Sequence, residues 1–170
     1  KSSFEKMPET RLRELVFEFK EPIQETHILV PLLQCSPLKS LHLKNWYKEM
    51  ILKHLSYAFR SRRTPRLKAL RLQHLCNRDC DTANLLRSIG SDNDKDDSDM
   101  EPFGLETLEQ KSCQFGQDST LALTKYHART LTTLKFTESI VELQQFACLM
   151  SGLPRLLSFR VGKLYLLETP

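Results

Sequence analysis

The sequence predicts an α/β solenoid, an open right-handed horseshoe of about six strand–helix units with a parallel inner sheet and outer helices. Three observations predict it. First, a six-residue pattern recurs as LRELVF from Leu12, LKSLHL from Leu38, LKALRL from Leu67, LETLEQ from Leu105, LTTLKF from Leu131 and LLSFRV from Leu156. The starts lie 26, 29, 38, 26 and 25 residues apart, and the long interval contains a foreign stretch, GSDNDKDDSDMEP, from Gly90 to Pro102. Removing about twelve residues of insertion restores a period of roughly 26, within the range of stacked repeat units. Second, positions four and six of each pattern alternate with polar residues, the signature of a half-buried strand. Third, Pro37, Pro65 and Pro154 each stand one or two residues before the next pattern begins, where a helix cannot continue.

Taken in order, the first unit sets Glu14, Val16 and Glu18 outward, with Thr26 as a helix cap. Pro31 falls where that helix should be in mid-course, so a kinked or late-starting helix is expected. In the second unit Leu41 and Leu43 point inward and Ser40, His42 and Lys44 outward. Ile51, Leu52, Leu55, Ala58 and Phe59 then share one helical face. The third unit exposes Ala69, Arg71 and Gln73, and its helix starts at Asp81 or Thr82, whose oxygens can accept from free first-turn amides. The fourth exposes Thr107, Glu109 and Lys111 and caps its helix with Asp118. It has Gln110 at an apolar position, so local irregularity is expected beside the insertion. The fifth exposes Thr133, Lys135 and Thr137, with Ser139 as cap and Leu143, Phe146, Ala147 and Met150 as the inward helical face. The sixth exposes Ser158, Arg160 and Gly162.

Composition bounds the function. The 170 residues carry 25 Lys plus Arg against 21 Asp plus Glu and are 40% apolar, enough for one domain's core without a metal or disulfide. No apolar run approaches the roughly 18 residues of a membrane span. The cysteines Cys35, Cys76, Cys80, Cys113 and Cys148 are odd in number and scattered, which reads as buried reduced thiols. With no glycosylation sequon and no charged-then-apolar leader visible in these residues, a cytoplasmic or nuclear setting is expected.

The units of about 26 residues, their helical outer segments and the stretch LLQCSPLKSLHL resemble the ribonuclease-inhibitor-like and cysteine-containing leucine-rich repeats of F-box proteins, the fungal-type ones in particular. The resemblance spans about Leu12 to Val161, so residues 1–170 are expected to form a single leucine-rich-repeat domain fragment with an acidic loop insertion at 90–102. At the ninth position, where the family carries Cys or Asn, this chain has Cys113. Lys20, Trp46, Leu75, Ser139 and Leu164 occupy the equivalent places. The resemblance implies the substrate-binding repeat region of an F-box subunit of a cullin-type ubiquitin ligase, reaching the ligase adaptor through a segment outside this chain. The alternatives are a repeat scaffold or adaptor without an F-box, such as a GTPase regulator or assembly factor, and a thiol- or metal-dependent enzyme.

Catalytic signatures are missing. There is no GxGxxG, Walker A, GxSxG or HExxH sequence. His74, Cys76 and Cys80, with Asp79 and Asp81 nearby, form the nearest approach to a metal constellation, but the paired ligands of a structural zinc site are lacking. Neither a cofactor nor a metal is expected, and the chain reads as a non-enzyme. Recognition is the better reading, because the outward strand positions would form one concave surface. Its central row, Val16, His42, Arg71, Glu109, Lys135 and Arg160, carries three fixed positive charges against one negative and would steer a protein target of acidic character. The partner-binding residues are expected to be His42, Lys44, Arg71, Gln73, Lys111, Lys135 and Arg160.

Three further features carry alternatives. The run Arg60, Arg62, Arg63, Arg66, Lys68, Arg71 and Arg78 could form a polyanion patch, but the turn into the third strand should split it across two surfaces, and no nucleic-acid module accompanies it. Trp46 fits either an inward-packed ring or a rim anchor for a partner. The insertion holds Asp92, Asp94, Asp96, Asp97, Asp99 and Glu101 against Lys95, five net negative charges that leave the rest of the chain near +9. Such a segment cannot bury apolar area.

Overall fold

A computed structural model of the chain describes residues 13–18, 38–45, 50–60, 67–75, 77–90 and 103–165. Among them are six strands, β1 (Glu14–Glu18), β2 (Ser40–Lys44), β3 (Ala69–Gln73), β4 (Thr107–Lys111), β5 (Thr133–Glu142) and β6 (Ser158–Tyr165). Four helices follow strands two to five: α1 (Met50–Arg60), α2 (Asp79–Gly90), α3 (Gln117–Tyr126) and α4 (Leu143–Gly152). The strands form one sheet in chain order, every neighbouring pair parallel. The expected parallel sheet with helical returns is therefore present. Neighbouring helices pack in the same order, α1 on α2, α2 on α3 and α3 on α4.

The repeat frame reappears in the backbone hydrogen bonds. The carbonyl of the second residue of each unit accepts two N–H groups from the next. Arg13 O takes Lys39 and Ser40, Lys39 O takes Lys68 and Ala69, Lys68 O takes Glu106 and Thr107, Glu106 O takes Thr132 and Thr133, and Thr132 O takes Leu157 and Ser158. At the other end of the strands the eighth residue turns left-handed, with φ of 58° at Asn45, 50° at His74, 50° at Ser112 and 56° at Glu138. Side chains other than glycine pay for that conformation. Three of these residues recover a hydrogen bond by donating to the carbonyl at position seven of the next unit: Asn45 to Gln73, His74 to Lys111 and Ser112 to Thr137.

Alternation along the strands builds one core. Leu41, Leu70, Leu108 and Leu134 align in one buried row, and Leu43, Leu72, Gln110 and Phe136 in the next. Leu38, Leu67, Leu105 and Leu131 close the core at the strand starts. Each fully buried leucine contributes about 1.5–3 kcal/mol over an exposed one. Helix α1 buries Ile51, Leu52, Leu55, Ala58 and Phe59, as its spacing predicts. The ninth position also faces inward: Leu75, Cys113 and Ser139 are buried, while Trp46 lies outside the described residues.

Four local expectations are corrected. Strand β4 is regular on both sides. The register shift falls instead between Phe136 and Ile140, where β5 and β6 run on past the common length. Ser139 belongs to β5, and α4 starts four residues later on a capping box in which the Glu142 N–H donates to Gln145 Oε1 at 3.1 Å. Helix α4 buries Gln145 and Leu149, leaving Leu143 and Met150 exposed, because α4 packs through the edge of its apolar stripe, with Phe146 against Phe159. Helix α2 begins at Asp79, ahead of Asp81 and Thr82. Gly90, expected to open the insertion, ends α2; the expected kinked first helix at Pro31 and the rest of the insertion, 91–102, lie outside the described residues.

The base of that insertion is held from one side. His127, fully buried, accepts the Leu105 N–H on Nδ1 at 3.1 Å and donates from Nε2 to Leu86 O at 2.9 Å. Thr130 Oγ1 donates to Leu105 O at 2.8 Å. Gly90 and Gly104 close against the same group. A Cβ on Gly90 would stand 2.7 Å from Tyr126 Cβ, and one on Gly104 2.5 Å from Thr130 Oγ1.

Two predictions follow from this packing. The Gln110 amide is buried with neither its nitrogen nor its oxygen hydrogen-bonded. Gln110→Met should therefore stabilise the protein by about 1–2 kcal/mol, read as a higher urea midpoint at unchanged slope. Burial lowers the pKa of His127 from 6.5 to about 4, so the unfolded chain binds the extra proton between those values. Stability from this group is intact above pH 6.5 and is lost as the pH falls to 4, about 3 kcal/mol in all. Urea midpoints measured from pH 7.5 to 4 should decline steadily, and a flat profile would contradict the assignment.

Candidate interaction surface

Side chains at strand positions three, five and seven leave the sheet on the side away from the helices. Parallel register sets them in straight rows across the strands. Val16, His42, Arg71, Glu109, Lys135 and Arg160 form the middle row, in the predicted order. Glu18, Lys44, Gln73, Lys111 and Thr137 form the row toward the strands' carboxyl ends. All seven expected contact residues thus share one face, half-buried except for the exposed Arg160.

The charges on that face are largely paired, which the count of cations along the row did not show. Glu109 serves two of them: Lys135 Nζ donates to its Oε1 at 2.7 Å, and Arg71 Nε approaches its Oε2 at 3.2 Å without the alignment of a hydrogen bond. Lys44 pairs with Glu18 at 3.7 Å and Lys111 with Glu138 at 3.4 Å. His42 is held below its usual pKa, first by burial and then by Lys44 and Arg71, against an opposing hydrogen bond from Gln73. It is neutral at pH 7. Arg160 makes no ion pair among the described residues. The missed partners, Glu18 and Glu138, come from an edge strand and from a left-handed turn. The first was legible as a register neighbour of Lys44, whereas the second depends on a turn that brings position eight beside Lys111.

Glu138 also accepts from Ser112 Oγ at 2.6 Å, and that bond together with Lys111 and His74 lowers its pKa. It borders a groove of about 360 Å³ between the turn that follows β4 and the second half of β5, with Cys113 and Gln145 on its walls. The Cys113 thiol is held against backbone carbonyls. Its Sγ donates to Leu72 O at 3.5 Å and Lys111 O at 3.3 Å, and burial raises its pKa.

The residues considered as metal ligands do other work. Asp79 reaches the start of α3, where its carboxylate accepts from the backbone N–H groups of Gly116 at 2.7 Å, Asp118 at 2.8 Å and Ser119 at 3.3 Å. Helix α3 has no cap of its own at Gly116, so the preceding helix supplies one. The closeness requires glycine, since a Cβ at Gly116 would lie 2.6 Å from Asp79 Oδ2. Asp81 is buried and paired with Arg78 at 3.3 Å, and Cys80 is exposed. Cys76 and Cys35 lie outside the described residues, among which no three His, Cys, Asp or Glu side chains gather as metal ligands. Of the basic run, Arg71 faces the open side of the sheet, Lys68 pairs with Glu106, Arg60 Nε donates to Ser88 Oγ at 3.2 Å, and Arg62, Arg63 and Arg66 lie outside the described residues.

No helix among the described residues is long and apolar enough to cross a membrane. No protein-family model matches this chain, and comparison with curated proteins gives no match. Asp79→Ala should cost about 1–2 kcal/mol, the loss expected for a helix cap, and hydrogen exchange should speed up at Gly116, Asp118 and Ser119 while the sheet amides stay protected.

Proposed function

We propose that the chain is a leucine-rich-repeat solenoid whose open sheet face is a non-catalytic surface for recognising another protein. The observation that carries this reading is the middle row, half-exposed polar and charged side chains held in register over five strands opposite the helices. The repeated hydrogen-bond frame, with two N–H groups received at the second position of each of the first five units, supports the solenoid. A target bearing acidic groups suits the face. Its cations are held upright by exposed ion pairs, which are worth about 0–1 kcal/mol each and exchange readily for a partner's carboxylates. Arg160, Lys135, Arg71, His42 and Lys44 are the proposed contacts, with Gln73 and Lys111 beside them.

The resemblance to F-box repeat proteins extends the proposal. In that reading the repeats hold the target, a segment outside this chain docks on the adaptor and cullin, and ubiquitin transfer takes place on other subunits. Affinity purification of the full-length protein from its native host tests both levels. Recovery of cullin and adaptor supports the ligase role, and their absence from a folded, abundant protein removes that role while leaving the recognition surface. Arg71→Glu with Lys135→Glu should abolish target capture with an unchanged circular dichroism spectrum, since each substitution puts a carboxylate beside Glu109. A folded double variant that still captures its target would overturn the assignment to this face.

A further inference from the structure

Charge is sorted along the strand direction. The first turns of α2 and α3 carry Asp79, Asp81 and Asp118, near the carboxyl ends of the strands. The last turns of α1, α2 and α3 carry Arg60, Arg87 and Lys125, and because the helices run back against the strands, these lie toward the strand starts. Each sign complements the helix dipole at its own end.

The strand starts add a row of their own. Arg13, Lys39 and Lys68 occupy the second position of consecutive units, locked side by side by the hydrogen bonds of Lys39 N to Arg13 O at 2.7 Å and Lys68 N to Lys39 O at 2.8 Å. Strand spacing places successive members about 4.8 Å apart. Glu106 follows in the same row and pairs with Lys68 at 2.5 Å. Beyond it the turns before β5 and β6 bring in Arg129 and Arg155, joined by a bond from Arg155 Nη1 to Arg129 O at 3.2 Å. All six side chains are exposed, and Arg13, Lys39, Arg129 and Arg155 make no ion pair among the described residues. Unlike the open face, where most cations already have a carboxylate, this edge has four cations with no carboxylate partner among the described residues. Glu14, one residue into β1, belongs to the open face.

We infer that the strand-start edge is a second docking strip, separate from the open face, and that it takes an acidic peptide segment of a partner protein. An extended peptide carries like-facing side chains about 6.8 Å apart and can lay carboxylates along cations spaced by strands. A nucleic acid fits less well, because none of the six residues offers a ring on which a base could stack. The strip also ends beside Leu157, which is 87% exposed and suits an apolar peptide side chain.

A fluorescein-labelled peptide of ten glutamates, titrated with the full chain and read by fluorescence anisotropy at low salt, tests the inference. Replacing Arg13, Lys39, Arg129 and Arg155 together by Gln should weaken binding by about tenfold or more. Glu106→Gln should tighten it several-fold by removing the one carboxylate in the strip, and Lys53→Gln on the outside of α1 should leave it unchanged. The gain with Glu106→Gln cannot be produced by misfolding. Failure of the peptide to bind, undiminished binding by the folded quadruple variant, or tighter capture of a ten-nucleotide oligothymidylate through the same four residues would each overturn the assignment. A larger loss in Arg71→Gln with Lys135→Gln would also overturn it, by moving the peptide to the open face.

Discussion

The rest of the structure depends on a backbone hydrogen bond that no unit can make by itself. One carbonyl at the second position of each unit receives two N–H groups from the unit that follows, and the ladder then runs on through the strand to the left-handed turn at position eight. A buried N–H or C=O without a partner costs about 1–3 kcal/mol, so the end of each strand is stable only when the next strand is in register. Register in turn fixes the rows: once Lys39 bonds to Arg13 and Lys68 to Lys39, His42 must stand beside Arg71. The open face and the strand-start edge are both consequences of that single lock.

Side chains borrow across units in the same way. Asp79 opens its own helix and caps the next, Cys113 donates to a carbonyl of the preceding strand, and His127 ties the end of α2 to the entry of β4. Each bond spans about one unit or more of sequence, which makes the stack cooperative beyond its apolar contacts. Two of the dispersed polar residues, His127 and Asp79, are accounted for in this way. Both ring nitrogens of His127 and both carboxylate oxygens of Asp79 are committed to backbone groups.

Much of this architecture was legible because apolar residues, mostly leucine, at positions one, four and six record which side of a strand is buried. The unit starts, the inward rows and the members of the middle row could be read from that spacing, including across the long interval. The pairing of Arg71 and Lys135 with one shared Glu109 was not legible as energetics. The residues were visible as neighbours, but whether a charge is spent depends on rotamers. Asp79 as the cap of a distant helix was hidden by its 37-residue separation from Gly116. The left-handed turns were hidden because Asn45, His74, Ser112 and Glu138 share a position and no chemistry. At α4, four apolar residues at helical spacing suggested a buried face, but Leu149 and Gln145 took the inner side because β5 runs on before the helix begins.

The clasp formed by His127 and Thr130 sets where this chain can change length. Leu86, Gly90, Gly104 and Leu105 all pack or bond against the end of α3 and the turn that follows it, so the two ends of the interval between α2 and β4 are held by the scaffold. With the ends already held, doubling the connection costs only about 0.6 kcal/mol of closure entropy. The site is therefore an expansion joint. Sequence can be gained, lost or exchanged there without a strand losing its place, and a reporter domain whose own termini lie close together could be grafted into it while the sheet on either side keeps its register.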